Sequence, residues 1–304
     1  MQPSDNVSVA YLGPRGTFSE AAARTQFGAT SELHNVNNKQ PGANDKQPDA
    51  NGKQKTTETI KTLECSSIGD VFTAVEEDKV NYGVVPVENS TEGAVNNTLD
   101  CLLDSPLQII GERIIKIEHH LFAQKGVSLT DIRLIASHQQ SLAQCRKWLQ
   151  AHYPQLPLHE CTSNAEAALM SADNRETAAI AGELAGQTYG LHTVAKQIQD
   201  EAHNSTRFLI LAKHPVTATG NDKSSLLIFA RNRPGALFHI LQPFENLQIS
   251  LTRLESRPSR KEAWAYVFFL DFEGHRDDEN VQELFRRLEH CNAEIKVLGS
   301  YPRA

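Results

Sequence analysis

Short apolar runs alternate with amphipathic segments through the first two thirds of the chain. Residues 7–12 and 80–87 are predicted to be buried strands, and residues 18–27 have the spacing of a helix. Another helix is expected to begin near residue 67, because Asp70 then places an acid in its first turn. The alternation continues through residues 107–124, 139–152, 156–161 and 177–181. This pattern predicts an α/β domain with a largely parallel sheet.

Residues 34–57 interrupt this alternation. They contain a seven-residue near-repeat, KQPGAND followed by KQPDANG, with no apolar surface to bury. A heptad of this composition cannot form a coiled coil. We therefore expect a mobile, solvated insertion, and a tolerated insertion is favoured over a segment that binds a partner.

The last third of the chain has a different order of elements. After a linker at residues 214–222, the pattern predicts strand, helix, two strands, helix and strand, which is βαββαβ. This order is typical of a ferredoxin-like unit, with two helices on one face of an antiparallel sheet. The predicted strands are 225–230, 249–255, 264–272 and 294–298, and the predicted helices are 235–246 and 278–291.

The composition narrows the function classes. The 304 residues are 39% hydrophobic and 22% charged, with a net charge of -7, so no basic footprint for nucleic acid is expected. No apolar run reaches membrane-spanning length and no secretory signal is visible, which favours a cytoplasmic protein without a membrane partner. The five scattered cysteines are expected to be free thiols, and we expect neither a metal nor another cofactor.

The tripeptide Thr206-Arg207-Phe208 is the most informative short motif. Thr206 can donate one hydrogen bond to a leaving oxygen, and Arg207 can bind a carboxylate with its planar fork. Taken alone this tripeptide is a weak signal. Its weight comes from the polar segments that accompany it along the chain.

Six motifs occur in order. Residues 13–20 are GPRGTFSE, 86–93 are PVENSTEG, 137–144 are SHQQSLAQ, 206–208 are TRF, 234–238 are PGALF and 255–258 are ESRP. Together they resemble the prephenate dehydratase family with a C-terminal ACT regulatory domain. The resemblance covers nearly the whole chain outside about residues 34–58.

The resemblance implies an architecture. It implies a two-lobed catalytic domain like a type II periplasmic binding protein at residues 6–213, followed by an ACT domain at residues 223–302. We expect lobe 1 to comprise about residues 6–86 and 190–213, and lobe 2 about residues 87–189. We also expect a monofunctional enzyme, because no segment like a chorismate mutase precedes residue 7.

The resemblance also implies a reaction, the conversion of prephenate to phenylpyruvate, carbon dioxide and water, without a cofactor. Thr206 is the expected hydrogen-bond donor to the leaving oxygen, and Glu88 is the expected proton source if burial raises its pKa. Arg207 or Arg15 would bind the pyruvyl carboxylate. The other expected site residues are Asn89, Gln144 and Ser137, with Thr17, Ser19, Ser90, Gln140, Asn204 and Phe208 binding substrate.

Structural interpretations of the same residues stay open. Thr17 or Ser19 can cap a helix, and Arg207 can form a structural ion pair. Phe208 can pack in the core. Ser137 stands beside His138, but no Asp is placed to orient this histidine, so a serine hydrolase is disfavoured.

The ACT resemblance implies a second ligand, L-phenylalanine, as a feedback inhibitor. Backbone N–H groups at a helix start near Gly235 would approach its carboxylate. We expect a homodimer or homotetramer. Arogenate dehydratase and a non-catalytic amino-acid sensor are the alternatives. The expected phenylalanine-binding residues are Asn232, Pro234, Gly235, Ala236, Leu237, Glu255, Ser256 and Arg257.

Overall fold

A computed structural model describes residues 7–28, 60–230, 233–259, 266–291 and 293–304, together with the backbone of residues 30–32. The predicted insertion at 34–57 therefore lies outside the described residues. Within the described ranges, no helix is long and apolar enough to span a membrane.

The helices and strands are numbered along the described chain. The strands are β1 (Ser8–Leu12), β2 (Thr30–Glu32), β3 (Ile60–Cys65), β4 (Tyr82–Asn89), β5 (Gly93–Ala94), β6 (Gln108–Lys116), β7 (His120–Ala123), β8 (Leu134–His138), β9 (Leu158–Cys161), β10 (Thr177–Ala181), β11 (His192–Ala195), β12 (Ser205–Ala212), β13 (Asp222–Ala230), β14 (Leu251–Pro258), β15 (Tyr266–Glu273) and β16 (Glu294–Pro302). The helices are α1 (Phe18–Phe27), α2 (Ile68–Glu76), α3 (Asn96–Asp104), α4 (Gln139–Gln144), α5 (Arg146–His152), α6 (Asn164–Asp173), α7 (Glu183–Thr188), α8 (Ala236–Asn246) and α9 (Glu279–Glu289), with a 3₁₀ turn at Leu129–Asp131.

The first lobe contains a sheet in the order β2-β3-β1-β4-β12-β6, with β5 paired to β4. Strands β2, β3, β1 and β4 are parallel, but β12 pairs antiparallel with both β4 and β6. Because β6 is antiparallel to β12, it runs in the same direction as β4, so five of the seven described strands share one direction, as predicted for a largely parallel sheet. Strands β5 and β12 run against the others, and β12 does so where it returns from the second lobe and inserts between β4 and β6.

The second lobe contains a sheet in the order β11-β7-β10-β8-β9. The chain enters this lobe after β6 and leaves it after β11, so the crossings lie at residues 117–119 and 196–204. The expected boundary at 86/87 differs because β5, α3 and β6 still belong to the first lobe, and the one at 189/190 differs because β11 still belongs to the second. The helical segment predicted at 139–152 consists of α4 and α5, which meet at Cys145.

The C-terminal unit has the expected βαββαβ order and a four-stranded antiparallel sheet, β14-β15-β13-β16. Helices α8 and α9 pack on one face through an apolar cluster that includes Ile228, Phe244 and Leu284. The opposite face packs against the first lobe, where Phe269 joins the main core. The α/β class and the ferredoxin-like unit are confirmed.

Strand β16 lies very close to β6 of the first lobe. Gly299 has a φ of 157°, and a Cβ at this position would clash with the carbonyl oxygen of Ile109. Glycine is required here because only a residue without a side chain permits this approach. The contact fixes the C-terminal sheet directly against a strand of the first lobe.

Candidate functional site

A cleft of about 820 Å³ lies between the two lobes. Its walls come from the β1–α1 turn, the end of β4, the start of β12, and the beginnings of α4 and α6. The volume is in the range of small-molecule sites. The expected site residues among its lining are Thr17, Ser19, Asn89, Gln140, Gln144, Thr206 and Phe208.

Thr206 and Asn89 face each other on the neighbouring strands β12 and β4. Asn89 Nδ2 donates to Thr206 Oγ1 at 2.8 Å and to Asn204 Oδ1 at 2.9 Å. Asn89 Oδ1 accepts from the backbone N–H groups of Thr91 and Glu92, which fixes the orientation of the amide. Because Thr206 Oγ1 accepts the bond from Asn89, its own proton is left for an acceptor in the cleft.

A further layer of hydrogen bonds holds Asn204 in place. Gln144 Oε1 accepts from Asn204 Nδ2 at 3.0 Å and lies 2.8 Å from His119 Nε2. An amide oxygen can only accept, so His119 Nε2 carries the proton. Burial lowers the pKa of His119, which keeps the imidazole neutral. Asn89, Asn204, Gln144 and His119 are therefore uncharged, and Gln144 Nε2 also donates to the carboxylate of Glu92 at 3.4 Å.

The first turns of five helices lie at the cleft wall. The N-cap residues of α1, α3, α4 and α6 line it, and Ser66 directly precedes the N-cap of α2; these N-caps are Thr17, Val95, His138 and Ser163. Helix N-termini carry partial positive charge and free N–H groups, which favour bound anions. Among the described residues that line the cleft there is no Lys or Arg. The attraction for an anion therefore comes from backbone groups.

Cys65 also lines the cleft, but it is not a nucleophile. Burial raises the pKa of its thiol to about 11, so the thiolate is scarce at neutral pH. Its side chain contributes to the apolar core of the first lobe.

Two expected site residues point away from the cleft. Arg207 Nε donates to Glu112 Oε2 at 2.6 Å, and Arg207 Nη1 donates to Asp271 Oδ2 at 2.5 Å. Glu88 is 41% exposed and lies 3.3 Å from Arg253. Neighbouring residues of a strand point to opposite faces, so Thr206 and Asn89 take the cleft face and Arg207 and Glu88 the other. The expectations that Arg207 binds substrate and that a buried Glu88 supplies the proton were wrong.

Ser137 and Ser90 have structural partners instead of a place in the cleft lining. Ser137 Oγ is fully buried and donates to the carbonyl of Ile180 at 2.6 Å. Ser90 Oγ accepts from the N–H of Ser205 at 3.0 Å. Ser137 is therefore not placed to act as a nucleophile or to bind substrate, because its buried hydroxyl donates its proton within the second lobe. Asn204 likewise supports Asn89 from behind the lining.

Thr17 lines the cleft and also caps α1. Its Oγ1 donates to the carbonyl of Leu12 at 3.1 Å and accepts from the N–H of Glu20 at 3.4 Å. Phe208 lines the cleft from β12 while packing in the core of the first lobe. Arg15 is exposed and does not line the cleft.

The C-terminal unit contains a smaller groove of about 250 Å³. Gly235, Ala236 and Leu237 line it at the start of α8, and Pro234 lies directly before them. Gly235 has a φ of 78°, a conformation that favours glycine at this turn. Asn232 lies outside the described residues.

The strand that carries ESRP turns its charges away from this groove. Arg257 Nη2 donates to Asp100 of α3 at 2.8 Å, and Glu255 lies on the same face because it is two residues away. Ser256 takes the opposite face, beside Phe268, which lines the groove. Neither Arg257 nor Glu255 lines the groove, and their role as phenylalanine ligands stays a prediction.

Several cleft residues were missed by the sequence interpretation. Glu64, Glu92, His119 and Asn164 all line the cleft. Glu92 stood inside a motif that was already singled out, whereas His119 was weighed only as a metal ligand. Asn164 follows the end of a strand, as Thr17 does, and residues at such strand ends were predicted to line the cleft. The same criterion could therefore have found Asn164.

Comparisons with known proteins agree with this arrangement. A family model described as prephenate dehydratase matches residues 48–216, and one described as ACT domain matches residues 224–290. A bifunctional chorismate mutase/prephenate dehydratase from Stutzerimonas stutzeri is 46% identical over 296 residues, covering 97% of this chain and 73% of that protein. A prephenate dehydratase from Mycolicibacterium vanbaalenii is 36% identical over 298 residues, covering 97% and 90%. The crystal structure of prephenate dehydratase in complex with L-Phe from Arthrobacter aurescens superposes with a TM-score of 0.80 at 30% identity, covering 98% and 90%.

Proposed function

This chain belongs to the prephenate dehydratase family, and from that premise we propose that it converts prephenate to phenylpyruvate, carbon dioxide and water. The observation that carries the mechanism is the direction of the hydrogen bond at Thr206. Asn89 donates to Thr206 Oγ1, so the hydroxyl proton of Thr206 is free to donate into the cleft.

The chemistry requires two bonds to break on opposite sides of one ring. The bond to the ring carboxylate breaks, carbon dioxide leaves, and the electron pair enters the ring. The bond to the ring hydroxyl breaks on the opposite carbon, and one proton from solvent completes the water molecule. Aromatisation of the ring supplies the driving force, so the protein orients the substrate and stabilises the charge on the leaving oxygen.

Thr206 is the residue suited to that last task. An alcohol is a poor general acid because its pKa lies far from neutrality. A fixed hydrogen-bond donor nevertheless stabilises charge that develops on the leaving oxygen, and it needs no reorganisation at the moment of reaction. The neutral network of Asn89, Asn204 and Gln144 holds Thr206 in that orientation.

The substrate carboxylates are assigned to the helix N-termini at the cleft wall. The N-terminal turns of α1 and α6 face the cleft from different lobes, which suits a substrate with two carboxylates. Phe18, Ile117 and Phe208 form an apolar part of the wall for the ring.

Arogenate is the second candidate substrate. It carries an ammonium where prephenate has a keto group, and the exposed carboxylates of Glu64 and Glu92 among the lining residues offer acceptors for an ammonium. The two substrates use the same leaving groups and the same Thr206.

L-phenylalanine is the assigned inhibitor, and the groove at Gly235, Ala236 and Leu237 is its assigned site.

We assign a homodimer or homotetramer, with the C-terminal units in contact. Phe238 and Tyr266 line the groove and are 63% and 46% exposed, and a second subunit would cover them. A cytoplasmic location agrees with the five free cysteines.

The test is phenylpyruvate formation by the purified protein from prephenate, and phenylalanine formation from arogenate, each with and without added L-phenylalanine. The proposal expects turnover of prephenate that L-phenylalanine suppresses. Turnover of arogenate but not of prephenate would identify arogenate as the substrate. Turnover of neither compound would overturn the proposal.

A further inference from the structure

The two strands that carry the catalytic network also contact the C-terminal unit. On β12, Thr206 faces the cleft and Arg207 faces the C-terminal sheet. On β4, Asn89 faces the cleft and Glu88 lies beside Arg253 of β14. On both strands, a residue that faces the cleft is therefore adjacent in sequence to a residue that contacts the C-terminal unit.

Arg207 belongs to what we call the interdomain ion cluster: Arg207, Glu112, Lys223 and Asp271. Arg207 uses all three guanidinium nitrogens, binding Glu112, Asp271 and the hydroxyl of Tyr301. Lys223 Nζ donates to both carboxylate oxygens of Glu112 at 3.1 Å. Two cations and two carboxylates therefore balance in charge.

The cluster is buried and joins both folding units. The side chains of Glu112 and Asp271 are 1% and 6% exposed, and those of Arg207 and Lys223 are each 11% exposed. Glu112 and Arg207 come from the catalytic lobe, whereas Asp271 and Lys223 come from the C-terminal sheet. Water cannot readily replace a lost partner here, so a shift of one unit either breaks these bonds or moves β12.

The candidate phenylalanine groove is lined by residues of β13 and β15, the two strands that also contribute Lys223 and Asp271 to the interdomain ion cluster. Ala230 and Phe268 line the groove at one end of β13 and β15. Further along these strands, Ser225 pairs with Asp271, and Ser225 Oγ donates to Asp271 Oδ1 at 2.6 Å. Three residues along β15 separate the groove from the cluster, which is about 10 Å at 3.3 Å per residue.

We propose that Arg207 is a positioning residue for Thr206 and that the interdomain ion cluster transmits the state of the C-terminal unit to the catalytic strand. This inference rests on the proposed function. It assigns to the motif arginine a role in regulation and alignment, without contact to substrate. An effector in the groove that shifts β15 moves Asp271, then Arg207, and with it the adjacent Thr206.

The test uses Asp271→Asn, which keeps the size of the side chain and removes one carboxylate. Because this leaves an unbalanced buried cation, a second variant combines Asp271→Asn with Lys223→Met and restores the charge balance. The matched control is Glu273→Gln, two residues along β15, which removes a carboxylate from an exposed pair with Arg303. Prephenate turnover is measured against L-phenylalanine concentration, and L-phenylalanine binding is measured separately by calorimetry.

Both Asp271 variants are expected to bind L-phenylalanine within about threefold of the wild type, while the inhibition at saturating L-phenylalanine falls at least about fivefold, the low end of typical coupling factors. The Glu273→Gln control keeps full inhibition. Unchanged inhibition in a variant that still binds L-phenylalanine would overturn the inference, as would loss of binding or of folding in both variants. A wild-type protein without turnover would instead overturn the proposed function.

Discussion

The two faces of the β4–β12 strand pair carry opposite kinds of polar chemistry. The cleft face presents Asn89 and Thr206 in an uncharged network, and the other face presents Glu88 and Arg207 in ion pairs. A carboxylate beside Thr206 would accept its proton, whereas an amide donor leaves that proton for the substrate. Uncharged neighbours therefore suit the face that carries Thr206, and ion pairs suit the face that holds the C-terminal unit against the first lobe.

The largest expected effect comes from removing the hydroxyl on the cleft face. Thr206→Val keeps the side-chain volume but removes the donor, and turnover should fall about 10²- to 10³-fold, as for other preorganised donors. Thr206→Ser keeps the hydroxyl and should retain most of the activity. Steady-state phenylpyruvate formation by both variants checks this. A Thr206→Val enzyme of near-normal activity would remove Thr206 from the mechanism.

The next effect tests the direction of the hydrogen bond. Asn89→Asp keeps the oxygen that accepts from Thr91 and Glu92, but it replaces the donor to Thr206 with an acceptor. Thr206 would then turn its proton toward residue 89, and turnover should fall about 10- to 100-fold. The wild-type kcat, measured in parallel at saturating prephenate, is the reference. Full activity in Asn89→Asp would show that the proton of Thr206 is not needed in the cleft.

A change at the interface should instead affect stability. Lys296 Nζ donates to the carbonyls of Leu102, Leu103 and Ser105 at the end of α3. Lys296→Met leaves these partly buried carbonyls without that donor and should lower the free energy of unfolding by about 1–3 kcal/mol. Urea denaturation measures this loss, and kcat without L-phenylalanine should stay near the wild-type value. A loss of turnover as large as in Asn89→Asp would contradict the conclusion that the interface contributes to stability and the cleft face to catalysis.

The smallest effect concerns the pH dependence of stability on the cleft side. Burial lowers the pKa of His119 below its ordinary value of 6.5. The folded state therefore binds fewer protons than the unfolded state, so this contribution to stability is complete above pH 6.5 and is lost as the pH falls through the lower folded value.

His119→Gln removes the titrating group and keeps a donor toward Gln144. Melting temperatures measured from about pH 8 to pH 5 should fall more steeply in the wild type than in this variant. Parallel curves for the two proteins would contradict a buried neutral His119.

Much of the fold followed from local patterns, but the orientation of side chains did not. The strand ends placed Thr17, Asn89 and Thr206 at the cleft, because strand ends of α/β sheets line ligand sites. The alternation of a strand already excluded that Thr206 and Arg207 share a face.

Only the tertiary structure shows which face each of these residues takes. Arg207 finds Glu112 and Asp271 at sequence separations of 95 and 64 residues, and such long-range partners leave no local signal. The antiparallel insertion of β12 was missed for the same reason, since its neighbours β4 and β6 are both distant in sequence.

The most direct test compares two adjacent residues of opposite faces, Thr206→Val and Arg207→Lys. Prephenate turnover and L-phenylalanine binding are measured for each protein across a range of L-phenylalanine concentrations. We predict that Thr206→Val loses turnover but binds L-phenylalanine normally. Arg207→Lys lacks the planar guanidinium group that reaches Glu112, Asp271 and Tyr301 from three separate nitrogens, and it should keep measurable turnover that L-phenylalanine no longer suppresses. An active Thr206→Val enzyme, or an Arg207→Lys enzyme inhibited like the wild type, would contradict the account.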